Sequence, residues 1–301
     1  MTANWIGLYI LVYLSAVGVN CFVMLSGFLL ANSTGYRWRS VFRTWFTVFF
    51  YSFGICLIFF CLGKATAKEL IASAFPVYTD QYWFMTKFIG LSVIAPFLSR
   101  LAGALNKKDY VIMIIILSFL NLRLFKFPYG ETFGGQNSLM WFIYLYLVGA
   151  YIRKYEPFKE FKHFGKSYLL FGILLAGAYM MLNVVLHHFR GDPICYAGTF
   201  YNSFTFATSL LLFMWAAYLK MDKEPILHLI SSIAPCMFGI YLISEHDKLR
   251  YVIWDGIIQI RGMQDSLWLI PLILASSIAV FAVCCLIDRL RIALFKILHI
   301  Q

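Results

Sequence analysis

The sequence predicts an all-α, polytopic transmembrane helical bundle, and three observations carry that expectation. Hydrophobic residues make up 61% of the chain and charged residues 13%, whereas a soluble domain holds roughly 45–50% and about 25%. The apolar residues fall in repeated runs of about 17 to 25, the length that crosses a bilayer as a helix. Lipid offers the backbone no partner, so a segment of this kind must satisfy its N–H and C=O groups within its own helix. The basic residues, finally, sit in short polar breaks between the runs rather than in one patch. The formal charge of +11 therefore reports orientation in a membrane and not affinity for nucleic acid. A single integral membrane domain over 1–301 is expected, with no soluble domain and no internal repeat.

Nine spans follow, at about 5–30, 41–63, 81–104, 109–126, 138–152, 167–187, 200–219, 227–245 and 267–288. The first begins at Trp5 with no basic stretch and no small-residue cleavage site before it, unlike a signal peptide. It ends in "ANSTGYRWRS", whose arginines lead into the second. The third starts at Tyr82 and Trp83 and closes before "NKKD", from which the fourth rises. The breaks after the fourth to seventh spans are "KFPYGETFGGQNS", "RKYEPFKEFKHFGKS", "HFRGDPICYAGT" and "KMDKEP", rich in the Gly, Pro and charged residues that punctuate helices. Cys21, Cys56, Cys61, Cys236, Cys284 and Cys285 lie in apolar stretches and Cys195 in a polar loop, without CxxC or Cys/His spacing, so neither a disulfide framework nor a metal site is expected.

When alternate breaks are assigned to one side, sixteen Lys and Arg residues, including Arg39, Arg43, Lys107, Arg153 and Lys296, face nine on the other. The positive-inside rule puts the larger set, and the C-terminus with it, in the cytoplasm. Met1 then lies outside, although "MTANW" carries neither charge nor signal for translocation. One further helix ahead of Met1, giving ten spans with both ends inside, is the simplest expectation.

Four ordered stretches resemble the acyltransferase-3 family of bacterial membrane acyltransferases. "GVNCFVMLSGFLL" (18–30) is similar to its "GVxxFFxLSGFLL" helix, and "YRWRSVFRTWF" (36–46) to the basic segment that follows. "YWFMTKFIGLSVIAPFL" (82–98) and "FGIYLISEHDKLR" (238–250) resemble two later helices, the latter with Ser244 where many members carry His. The resemblance implies ten transmembrane helices and transfer of an acyl group, usually acetyl from acetyl-CoA, to a hydroxyl of a surface polysaccharide or related glycan. It also implies an Arg and a His eleven residues apart in a first helix. Residues 1–17 contain neither, so on this reading the catalytic His belongs to the further helix expected ahead of Met1.

Acyl-CoA is a polyanion, and Arg39 and Arg43, four apart on one helix face, suit its phosphates. The same residues also suit plain positive-inside anchoring. Asn20, Ser26 and Gly27 form a small, hydrogen-bonding surface for close helix packing, facing the missing first helix on the family reading. Glu245 and His246 end a span beside Asp247, Lys248 and Arg250, either as a solvated interfacial cluster or as the pair that orients or deprotonates an acceptor hydroxyl. Tyr82 and Trp83 are belt anchors or a platform for sugar rings. No cofactor beyond the acyl donor is implied. The expected partners are acyl-CoA, a glycan or lipid-linked saccharide and the bilayer of a bacterial inner membrane. A polysaccharide exporter or a non-catalytic scaffold is the alternative.

Overall fold

A computed structural model describes residues 3–122, 138–157, 165–190, 202–219, 224–263 and 266–299, and every expected span carries a helix in it. The helices are α1 (Ala3–Leu30), α2 (Trp38–Cys61), α3 (Ala67–Ser73), α4 (Trp83–Ala104), α5 (Lys107–Asn121) and α6 (Leu139–Tyr155). They continue as α7 (Gly165–Arg190), α8 (Ser203–Tyr218), α9 (Glu224–Ile233), α10 (Met237–Ser244), α11 (Asp247–Tyr251) and α12 (Leu269–Ile297). Among the described residues six segments are long and apolar enough to cross a membrane: Ile6–Leu30, Trp38–Cys61, Trp83–Ala104, Ser167–Val185, Glu224–Ser244 and Leu269–Ile297. The chain is a multi-pass, all-α membrane protein.

Three spans differ from the sequence expectation; in the fourth, the helix closes at Asn121 with Leu122 extended as its C-cap, short of the expected end at 126. The eighth is broken at Ala234–Cys236, a 3-10 turn holding Pro235, whose missing N–H cannot continue the α-helical ladder. The ninth runs nine residues past position 288, because Asp288 is neutralised by Arg291 one turn on and the helix has no charge-driven reason to stop. Helical periodicity persists there while the hydropathy falls.

The chain divides into two compact units, each with its own packing. One holds Trp5–Tyr36 and Gly90–Lys220. Its centre is α6, buried on nearly every side, with Trp141, Phe142, Tyr144, Tyr146 and Leu147 among its covered residues. Helix α1 meets α6 at two glycines. A Cβ on Gly27 would fall on the Tyr146 carbonyl, and one on Gly149 on the Met24 carbonyl, so the backbones touch where only hydrogen occupies the Cα. Asn20, fully buried, accepts a hydrogen bond from Trp141 Nε1 (3.0 Å) and donates to Ser209 Oγ on α8 (3.3 Å). Ser26 instead bonds back to the Phe22 carbonyl of its own helix. The neighbours of the small-residue surface of α1 are thus α6 and α8, where the family reading expected a preceding helix. In the same unit Lys154 closes the end of α4, its ammonium donating to the carbonyls of Ala102, Gly103 and Leu105.

The other unit holds Met1–Asn4, Arg37–Ile89 and Met221–Gln301. Here α2 packs against α3 and α10, and α10 against α12. Helix α3 is fixed by a capping box in which Thr66 and Glu69 bond reciprocally. Phe295 of α12 sits between Phe46 and Phe50 of α2, with ring centroids 5.5 and 5.2 Å away.

Candidate functional site

The unit built on α2, α10 and α12 carries most of the chemistry-bearing residues, in two clusters along α2. At the start of α2 the side chains of Arg39 and Arg43 are exposed, one turn apart on one face. No acidic residue occupies the first turn. The free N–H groups and dipole of a helix start add positive potential to these guanidinium groups, a setting that favours a polyanion.

Nine residues after Arg43, Ser52 begins the second cluster. Its fully buried Oγ donates to the Ser73 carbonyl (2.7 Å) and lies 2.5 Å from the Gln81 amide. Its own carbonyl meets His246 Nε2 at 3.3 Å. His246 is 1% exposed and caps α11, its Nδ1 accepting from the Lys248 amide at 3.2 Å. A ring whose Nδ1 accepts must carry its proton on Nε2, so the Ser52 carbonyl receives that N–H. The neutral imidazole has both nitrogens committed to backbone, and burial pushes its pKa below the ordinary 6.5. To act as a base, His246 would first have to release the Lys248 amide.

Glu245 is placed differently. Its carboxylate is exposed at the end of α10 and meets Arg250 at 3.5 Å, loosely enough to leave lone pairs for another donor. Lys248 reaches across to Glu69 of α3 at 2.5 Å. That ammonium, with the Thr66 amide, lowers the Glu69 pKa to about 2.

Tyr82 is also buried, 1% exposed, and donates through its hydroxyl to the Leu242 carbonyl at 3.1 Å. Its ring lies 6.4 Å from that of His246 and 6.1 Å from that of Tyr241. The Tyr82 ring is therefore closed to a ligand, whereas Trp83 beside it is half-buried. Arg39 and Arg43 share one cluster, Tyr82 and His246 the other, with Glu245 beside it. Asn20, Ser26 and Gly27 belong to the packing of the other unit.

Sequence reasoning did not single out a third group between the clusters. Asp288, fully buried on α12, accepts from Tyr51 Oη at 2.6 Å and from Arg291 through Nε and NH2, each at 2.9 Å. A Cβ on Gly239 of α10 would collide with this carboxylate, so α10 closes over it only because position 239 is glycine. The available signal was an acidic residue three before an arginine at the end of an apolar run. Inside a membrane such residues mark function more often than chance placement. Among the described residues no three His, Cys, Asp or Glu side chains converge as metal ligands.

A family model described as an acyltransferase domain, that of the acyltransferase-3 family, matches residues 2–289. Among curated proteins and among solved structures nothing matches.

Proposed function

The chain belongs to the acyltransferase-3 family and is a membrane acyltransferase that does not move amino-acyl groups; from this premise we propose that it carries an acyl group, acetyl foremost, from acyl-CoA to a hydroxyl of a cell-surface polysaccharide or related glycan. The protein would lie in the inner membrane of a bacterium with its C-terminus in the cytoplasm, where the sixteen basic residues of the larger set face the donor.

The observation that carries this reading is the spacing of the two clusters along α2. Arg43 and Ser52 are nine residues apart, about 14 Å along the axis at the helical rise of about 1.5 Å per residue but about half a turn apart around it, so the arm of the donor would pass round the flank of α2. With its phosphates on Arg39 and Arg43, an acyl-CoA would reach the level of Ser52, His246 and Tyr82 with its pantetheine arm. The thioester carbonyl would then lie beside the polar cluster, and the acceptor hydroxyl would approach from the opposite membrane face.

In this arrangement the arginines bind and orient the donor, which lowers the entropic part of the barrier. Glu245, whose carboxylate is exposed, takes the proton of the acceptor hydroxyl. His246 fixes the turn that presents Glu245, through its bonds to Ser52 and Lys248. The hydroxyl oxygen attacks the thioester carbonyl, the C–S bond breaks, and the leaving thiolate takes the proton back from Glu245, so that CoA departs as its thiol and the carboxylate is restored. Trp83 would rest against the sugar.

Steady-state kinetics on Arg39→Ala and Arg43→Ala test the donor assignment. Each substitution should raise KM for acetyl-CoA about tenfold while leaving KM for the glycan unchanged, the effect of losing one charge-assisted phosphate contact. An unchanged donor KM in both would refute the assignment and leave the arginines as topology anchors.

A further inference from the structure

Helix α12 carries a cation that the donor reading does not yet use. Arg291 lies six residues from the end of α12 and faces α2. Asp288 takes its Nε and NH2 edge, and the guanidinium lies 5.0 Å over the Phe295 ring, which is itself held by Phe46 and Phe50. The side chain is therefore clamped from two sides, yet it keeps 12% exposure where Asp288 has none.

The clamp lies toward the Arg43 end of α2. Tyr51 is eight residues from Arg43, and side chains lean toward a helix's N-terminus, so the Tyr51 hydroxyl lies less than about 12 Å along the axis from Arg43. Asp288, on the Nε and NH2 edge, and the Tyr51 hydroxyl together use only part of the N–H groups of Arg291. Buried ion pairs contribute little net stability against apolar replacements, so packing alone gives a poor account of three polar groups at this depth.

We infer that Arg291 is a further contact for the phosphates of the acyl donor, and that Asp288 and Tyr51 are positioning residues that hold its guanidinium toward the site formed by Arg39 and Arg43. This rests on the donor reading above. Asp288 fixes the plane of the guanidinium, Tyr51 fixes Asp288, and Gly239 leaves room for the carboxylate.

Two donors separate a phosphate contact from a structural role: acetyl-CoA, and acetyl-pantetheine, which bears the same thioester and no phosphate. In the purified full chain, Arg291→Lys and Asp288→Asn should raise KM for acetyl-CoA about three- to tenfold and leave kcat/KM for acetyl-pantetheine unchanged. Tyr51→Phe removes the hydroxyl's bonds to Asp288 and Arg291 while leaving their ion pair in place, and should shift the same ratio about two- to threefold. It provides the readout if the charged variants do not accumulate in the membrane. Equal losses with both donors, or an unchanged ratio in Tyr51→Phe, would overturn the inference and leave the group as helix packing. If Arg39→Ala and Arg43→Ala raise KM for acetyl-CoA selectively while the Arg291 and Asp288 variants do not, this inference alone falls. If none of the four discriminates between the donors, the donor reading falls and takes it along.

Discussion

His246 shows how burial changes the role expected of a side chain. A histidine beside a glutamate at a helix end invites assignment as a base, yet its two nitrogens hold the Lys248 amide and the Ser52 carbonyl. Burial holds its pKa below 6.5, so between the folded and unfolded values the unfolded chain takes up a proton that the folded chain refuses. The stability this group contributes is full above about pH 6.5 and declines as the pH falls toward the lower folded value. Thermal unfolding in detergent should therefore lose midpoint temperature on acidification through that window. In His246→Asn, which keeps a capping oxygen for α11 but does not titrate, the pH dependence should flatten, with a cost of about 1 kcal/mol for the Ser52 contact. An unaltered pH profile in that variant would place the acid sensitivity elsewhere. The residue types at 245 and 246 were legible in the sequence; their opposite exposures were not, because they depend on Ser52, 194 positions away.

At the scale of the helix, the spans were readable because lipid imposes length and hydropathy on each one separately. What a helix packs against is set by other helices and leaves a fainter trace. Gly27 announced a close approach, but the identity of its partner emerged only with Gly149 and the backbone of α6. Gly27→Ala and Gly149→Ala should each cost about 1–3 kcal/mol or more, since the new methyl meets a carbonyl of the neighbouring backbone and not a side chain that can turn aside. Detergent unfolding of each variant measures this, and wild-type stability in either would contradict the crossing of α1 and α6. The Asp288 clamp escaped sequence reading for a related reason. Its Tyr51 partner is 237 residues away, and charges at the end of a span look like ordinary membrane anchors until one is found with no exposure at all.

Over the whole molecule, the distribution of basic residues predicts which ends of the helices share a side. Lys107 at the start of α5 should face the cytoplasm and Lys68 of α3 the opposite side. Single cysteines at these positions, in a background where the exposed thiol of Cys61 and the loop residue Cys195 are replaced by serine, should react with an impermeant maleimide from opposite faces of the membrane. Labelling of both from one face would invalidate the orientation and with it the placement of Arg39 and Arg43 beside cytoplasmic acyl-CoA. The six long apolar spans and the family match over 2–289 establish a membrane acyltransferase. The most direct measurement supplies acetyl-labelled CoA on the cytoplasmic side of vesicles containing the full chain, with surface glycan on the other, and follows the label. Label should appear on the glycan as a base-labile ester and be lost in Glu245→Gln. Glycan that crosses the membrane or stays unmodified while the label remains on CoA would contradict acyl transfer to the glycan.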